Sequence, residues 1–134
     1  MAIRILTDST SDILPQEAQE RNLMVVPLRV NFADQGYQDG VDITHQEFYE
    51  KLSKVEQLPT TSQPTPEDFL VCFEQVKEQG DTLICILLSG GLSGTAQSAQ
   101  IAKELCDYEN IYVVDSRQAT AGIRALVDLA CLLI

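Results

Sequence analysis

Apolar residues come in short runs along this chain, each ending in hydroxyl, acidic or glycine residues, and the runs alternate with stretches of helical period. Ile3 to Leu6 runs into Thr7-Asp8-Ser9-Thr10-Ser11-Asp12, which predicts a buried strand followed by a polar loop. Pro15 suits the first turn of a helix, where its missing N–H costs nothing, and that helix extends to about Arg21. Met24 to Phe32 reads as a strand, with Leu28, Val30 and Phe32 alternating against Arg29 and Asn31. Asp34 to Asp42, with Gly36 and Gly40, reads as a turn. Thr44 and Glu47 have the spacing of a capping box, so a helix is expected from Thr44 to about Ser53, burying Phe48 and Leu52.

Leu58 to Thr65 reads as a loop rich in proline and hydroxyl groups. Thr65 then caps a helix with Pro66 first and Glu67 and Asp68 in its first turn. Phe69, Leu70, Phe73 and Val76 form its apolar stripe, and Gly80 ends it. Leu83 to Leu88 is continuously apolar, as a central parallel strand is, and leads directly into Ser89-Gly90-Gly91-Leu92-Ser93-Gly94-Thr95. Ala96 to Leu105 returns to helical spacing, with Ala99, Ala102 and Leu105 on one side. Ile111 to Val114 predicts another short buried strand, and a helix starts near Thr120. Strands separated by helices imply an α/β fold: a mostly parallel sheet with helices on both faces. Residues 1–134 are read as one such domain. Because Leu126 to Ile134 is apolar and carries no C-cap signal, the expectation is a chain that continues into a second domain; the alternative is a terminus packed into the core.

Composition narrows the function. The net charge of −11, with only nine Lys and Arg, argues against nucleic-acid binding, which needs clustered cations. Cys72, Cys85, Cys106 and Cys131 form no C-x-x-C pair and each sits in an apolar stretch, so they read as core thiols of a reducing compartment. The first residues lack a signal-peptide pattern, and no run approaches the roughly 18 apolar residues of a membrane span. The expectation is a cytoplasmic protein.

Ligands of parallel α/β sheets bind beyond the carboxyl ends of the strands. Thr7 to Asp12, Ser89 to Thr95 and Asp115-Ser116 fall at such ends, and Thr60 to Thr65 precedes a helix, so these loops are expected to converge on one edge. Their glycines allow close backbone approach, and the hydroxyls of Thr61, Ser62, Ser93 and Thr95 add neutral donors, a combination suited to an anionic head group. Capping and tight turns account for each loop taken singly.

Other chemistry has thinner support. Gly90-Gly91-Leu92-Ser93-Gly94 is not G-x-G-x-x-G, and no Lys follows as in a P-loop. His45, the single histidine, lies in the first turn of a predicted surface helix and reads as a solvated residue; no Ser-His-Asp set forms around it. Asp8, Asp12 and Asp115 lie at strand ends, where capping explains them as well as metal binding does. No cofactor or metal is assigned. The readings from other classes are a phosphocarrier or hydrolase using His45 or those aspartates, and a regulatory interaction domain with an acidic surface.

Four motifs in order carry a resemblance over about Ile3 to Gly122: Thr7-Asp8-Ser9-Thr10-Ser11-Asp12, Thr60-Thr61-Ser62-Gln63-Pro64-Thr65-Pro66, Leu88-Ser89-Gly90-Gly91-Leu92-Ser93-Gly94-Thr95, and Val114-Asp115-Ser116. Together they resemble the DegV family of bacterial fatty-acid-binding proteins. The resemblance implies a two-domain protein with a long-chain fatty acid between its domains, this chain being most of the first. It implies that Thr61 and Ser93 hold the carboxylate, with Ser62 and the backbone of Gly94 close by. It also implies a carrier, not a catalyst, that presents the acid to a separate fatty acid kinase, in phospholipid metabolism. The chain departs from the family pattern at Gly90, where a serine is usual, and after Asp115-Ser116, where Ala119-Thr120-Ala121-Gly122 replaces a serine and further glycines.

Overall fold

The computed structural model describes residues 1–134. Ile3–Asp8 (β1) lies in the middle of a four-stranded parallel sheet with Met24–Val26 (β2), Thr82–Leu87 (β6) and Ile111–Asp115 (β7), in the order β2-β1-β6-β7. Successive side chains of a strand point to opposite faces, and both faces here are apolar. On one face Leu6, Leu83, Cys85 and Leu87 pack against Phe69, Phe73 and Val76 of Pro66–Gln79 (α3) and Ala99, Ala102 and Cys106 of Thr95–Cys106 (α4). On the other, Ile5, Ile86 and Leu88 meet Ala18 of Pro15–Glu20 (α1) and Ile123 and Val127 of Ala121–Leu133 (α5). The expected α/β architecture, parallel and covered by helices on both faces, is what forms. No helix is long and apolar enough to cross a membrane.

The cap signals act as their spacing predicts. Thr44 accepts from the Glu47 N–H while the Glu47 carboxylate accepts from the Thr44 N–H, and Thr65 and Asp68 do the same at the start of α3. Gly80 ends α3 in the left-handed conformation, with φ of 69°.

A second, three-stranded antiparallel sheet is the main departure from expectation. Its order is β4-β3-β5, from Gly36–Gln38 (β4), Arg29–Asn31 (β3) and Thr60–Ser62 (β5). The single strand expected over Met24 to Phe32 is thus two strands in two sheets. Pro27 stands at the switch, where it has no N–H to continue a ladder. The turn expected over Asp34 to Asp42 contains β4, and the loop expected over Leu58 to Thr65 contains β5. Small as it is, this sheet has a core of its own: Val30, Phe32 and Ile43, flanked by the half-buried Tyr37, Phe48 and Val55. His45–Leu52 (α2) covers it, but with three short strands to cover it buries none of its residues fully, so Phe48 and Leu52 are half-buried instead of core.

Three smaller corrections come from position in the fold. Leu105 is 62% exposed, because the buried stripe of α4 runs through Thr95, Ser98, Ala99, Ala102 and Cys106. β7 is an edge strand, so only Ile111 is buried while Tyr112 and Val114 face outward. Of the four free thiols, Cys85 and Cys106 are core and Cys72 and Cys131 are half-buried. Burial pushes the Cys85 thiol far above its usual range.

Candidate functional site

The four polar loops do converge, and side-chain acceptors from three of them stitch the glycine-rich loop in place. Asp8, fully buried at the end of β1, accepts from the Leu88 N–H at 2.8 Å and from the backbone and hydroxyl of Thr10. Asp115, at the end of β7, accepts from the N–H groups of Gly90 at 3.1 Å and Arg117 at 2.9 Å. Gln63, just beyond β5, accepts from the Gly94 N–H at 3.1 Å.

These ties complete an inventory with a chemical consequence. Within the loop itself, the Gly91 N–H donates to Ser89 Oγ, the N–H groups of Leu92 and Ser93 to the Ser89 carbonyl, and the Thr95 N–H to Ser93 Oγ. The Ser89 N–H donates to the Gln118 carbonyl. Every backbone N–H from Leu88 to Thr95 therefore has a partner inside the chain. A loop that leads into a helix commonly presents free amides to an anion. The loop itself offers hydroxyls, and the amides left without a partner in the first turn of α4 are those of Ala96 and Gln97.

Those hydroxyls share a space. A cavity of about 380 Å³ is lined by Thr61, Ser62, Gln63 and Ser93 together with Leu28, Leu88 and Leu92. Thr61 comes from the small sheet, paired with Val30 across β3, and Ser93 comes from the loop after the parallel sheet. Ser62 Oγ accepts from the Asn31 side-chain amide at 3.3 Å, and Ser93 Oγ lies 2.8 Å from Thr95 Oγ1. Gly94 contributes by its lack of a side chain: a Cβ there would stand 2.5 Å from Gln63 Oε1. Gly90 is tightly placed in the same way, since a Cβ would meet Asp115 Oδ2 at 2.6 Å. Thr61 also borders a larger cavity of about 740 Å³, walled by Leu14, Val30, Phe48 and Pro59 and by Thr10 and Thr120.

The strand-end carboxylates differ in environment. Burial raises the pKa of Asp8 above its ordinary value, against the pull of hydrogen bonds from Thr10 and Leu88. The backbone N–H of Arg117, then that of Gly90, lowers the pKa of exposed Asp115. Asp12 is exposed and ends a short 3₁₀ turn in the left-handed conformation. No group of three or more His, Cys, Asp or Glu lies close enough together to hold a metal ion. His45 is half-buried and not fully solvated; it stands on the wall of the larger cavity and of a neighbouring one of about 360 Å³, neither of which Ser93 lines. Gln63 is the site residue to which sequence reasoning gives no role: its tie to Gly94 exists only once β5 has paired with β3.

Comparison with known proteins places this geometry in a class. Solved structures with the same fold include a stearic-acid-binding protein from Eubacterium ventriosum, at a TM-score of 0.91 and 34% identity over 99% of this chain and 47% of that one. A DegV family protein from Thermus thermophilus, described by its fatty acid binding, matches at a TM-score of 0.88 and 38% identity, again over 99% of this chain and 47% of that one. The profile described as "Uncharacterised protein, DegV family" matches residues 2–134. The chain belongs to the DegV family. Among curated relatives, a DegV domain-containing protein of Caldanaerobacter subterraneus is 43% identical over 93% of this chain and 44% of its own length. Protein DegV of Bacillus subtilis is 34% identical over 87% and 41%. The chain spans less than half the length of these relatives.

Proposed function

We propose that this protein is a carrier of a long-chain fatty acid, holding the carboxylate with Thr61 and Ser93, aided by Ser62 and the backbone turn at Gly94. The observation that carries the reading is the cavity in which three hydroxyls gather beside Leu28, Leu88 and Leu92, at a loop whose amides are already used. The related structures described as fatty-acid-binding supply the ligand class. The energetics fit a carrier. An acyl tail of roughly fifteen methylenes contributes on the order of 10 kcal/mol gross at about 0.8 kcal/mol per buried CH₂. Each neutral hydroxyl at the head adds only about 1–3 kcal/mol. The tail sets affinity and the hydroxyls set orientation. A head held without an Arg clamp also stays available for chemistry. We further propose that, in the cytoplasm, a separate fatty acid kinase transfers a phosphoryl group from a nucleoside triphosphate onto that carboxylate. The binding protein itself supplies no catalytic group.

We also read residues 1–134 as the first of two domains, with the second closing over the tail. On that reading these residues alone fold but bind long-chain acids weakly, and tight stoichiometric binding by them would sink it. For the carrier itself, native mass spectrometry of the full-length protein is expected to show a bound fatty acid, lost in Thr61→Ala/Ser93→Ala. A lipid-free wild type, together with unchanged binding by the double variant, would refute the proposal.

A further inference from the structure

We infer that Thr95 is a positioning residue that fixes Ser93 as a hydrogen-bond donor toward the cavity. The inference rests on the carboxylate reading of the site and adds how the grip is oriented. A hydroxyl carries one proton and two lone pairs. Thr95 is fully buried, and the only partner of its Oγ1 is Ser93 Oγ, at 2.8 Å. Buried polar hydrogens are almost always bonded, so the Thr95 proton has a single destination. If Ser93 donated instead, that proton would be stranded in the core. Thr95 therefore donates, and Ser93 accepts. Ser93 Oγ also accepts from the Thr95 N–H at 3.3 Å, which occupies its second lone pair. What Ser93 has left is its own proton, and the open side of this half-buried residue is the cavity it shares with Thr61 and Ser62. Ser62 Oγ, across from it, accepts only from the Asn31 side-chain amide and keeps a lone pair as well as its proton. Ser93 is thus prepared to donate into the cavity, which suits an anion better than a neutral group.

The test is a ratio measured in the full-length protein: affinity for hexadecanoic acid over affinity for hexadecan-1-ol, which carries the same apolar chain without the charge. Thr95→Val keeps the shape and removes the donor. It is expected to lower the ratio by about tenfold, the worth of one well-aligned hydrogen bond to a charged group. Thr95→Ser, which retains the hydroxyl, is expected to keep the wild-type ratio, and in a Ser93→Ala background Thr95→Val should cause no further loss. Thr95→Ala repeats the test if the valine variant does not fold. A Thr95→Val ratio equal to wild type while Ser93→Ala lowers it overturns the role of Thr95 and leaves the carboxylate site standing. If Ser93→Ala and Thr61→Ala both leave acid binding unchanged, the carboxylate reading fails and this inference falls with it.

Discussion

The two sheets differ in how deeply they are built. The parallel sheet is covered on both faces, with core clusters of twelve and nine buried residues. The antiparallel sheet has strands of three residues each and a buried core of three side chains. The candidate site sits on the seam, taking Ser93 from the first layer and Thr61 from the second. The difference points to a division of labour in which one layer carries the fold and the other carries half of the grip. Local stability should track the depth of the core.

Substitutions can break or sharpen this contrast. Phe73→Ala empties a fully buried position under the parallel sheet and should cost about 3–5 kcal/mol in urea unfolding. A loss below about 1 kcal/mol would mean that this layer does not dominate stability. Val30→Ala strips the centre of the small core and should cost about 1–2 kcal/mol. Hydrogen exchange should then rise in β3, β4 and β5 while β1 and β6 stay protected, and uniform acceleration would show that the layers unfold together. Gly94→Ala acts across the seam. Its Cβ displaces only the flexible end of Gln63, so stability should change by less than about 1 kcal/mol, yet the tie between the two loops is lost and fatty-acid affinity should drop several-fold.

The smallest effect is a pH signature. Asp8 holds its proton more tightly folded than unfolded, so its contribution to stability falls as pH rises from the ordinary 3.8 through its raised value. Asp115 works the other way: its contribution is present above 3.8 and lost as pH falls through its lowered value. Carboxyl carbon shifts followed by NMR should show Asp8 titrating above 3.8 and Asp115 below it. The reverse order would contradict the burial and hydrogen bonds assigned to them.

Much of the thick layer was legible in the chain. Ile3 to Leu6 and Leu83 to Leu88 are apolar runs of strand length, and Thr44, Thr65 and Gly80 bound their helices by local chemistry that needs no tertiary context. The thin layer was not. β5 consists of Thr60, Thr61 and Ser62, with no apolar period to read, and it is a strand only because Arg29, Val30 and Asn31 lie opposite it. That pairing is long-range, so no window of sequence contains it. Thr61 and Ser93 could be proposed from ordered motifs, while Gln63 needed the fold to bring Gly94 within reach, and the donor role of Thr95, only two residues from Ser93, needed the fold to bury it.

The chain changes layers at Pro27, and this makes the candidate site a vise with one fixed jaw and one compliant jaw. Ser93 is anchored through Asp8 and Asp115 to the parallel layer, whereas Thr61 rides on a sheet three strands wide, and Gln63, next to Thr61 and Ser62, ties the two together. Widening the vise requires loosening only the compliant side, at a free-energy cost well below that of unfolding the domain. On the proposed carrier reading, ligand exchange and fold integrity would be set by different parts of the same 134 residues, so either could be tuned without the other.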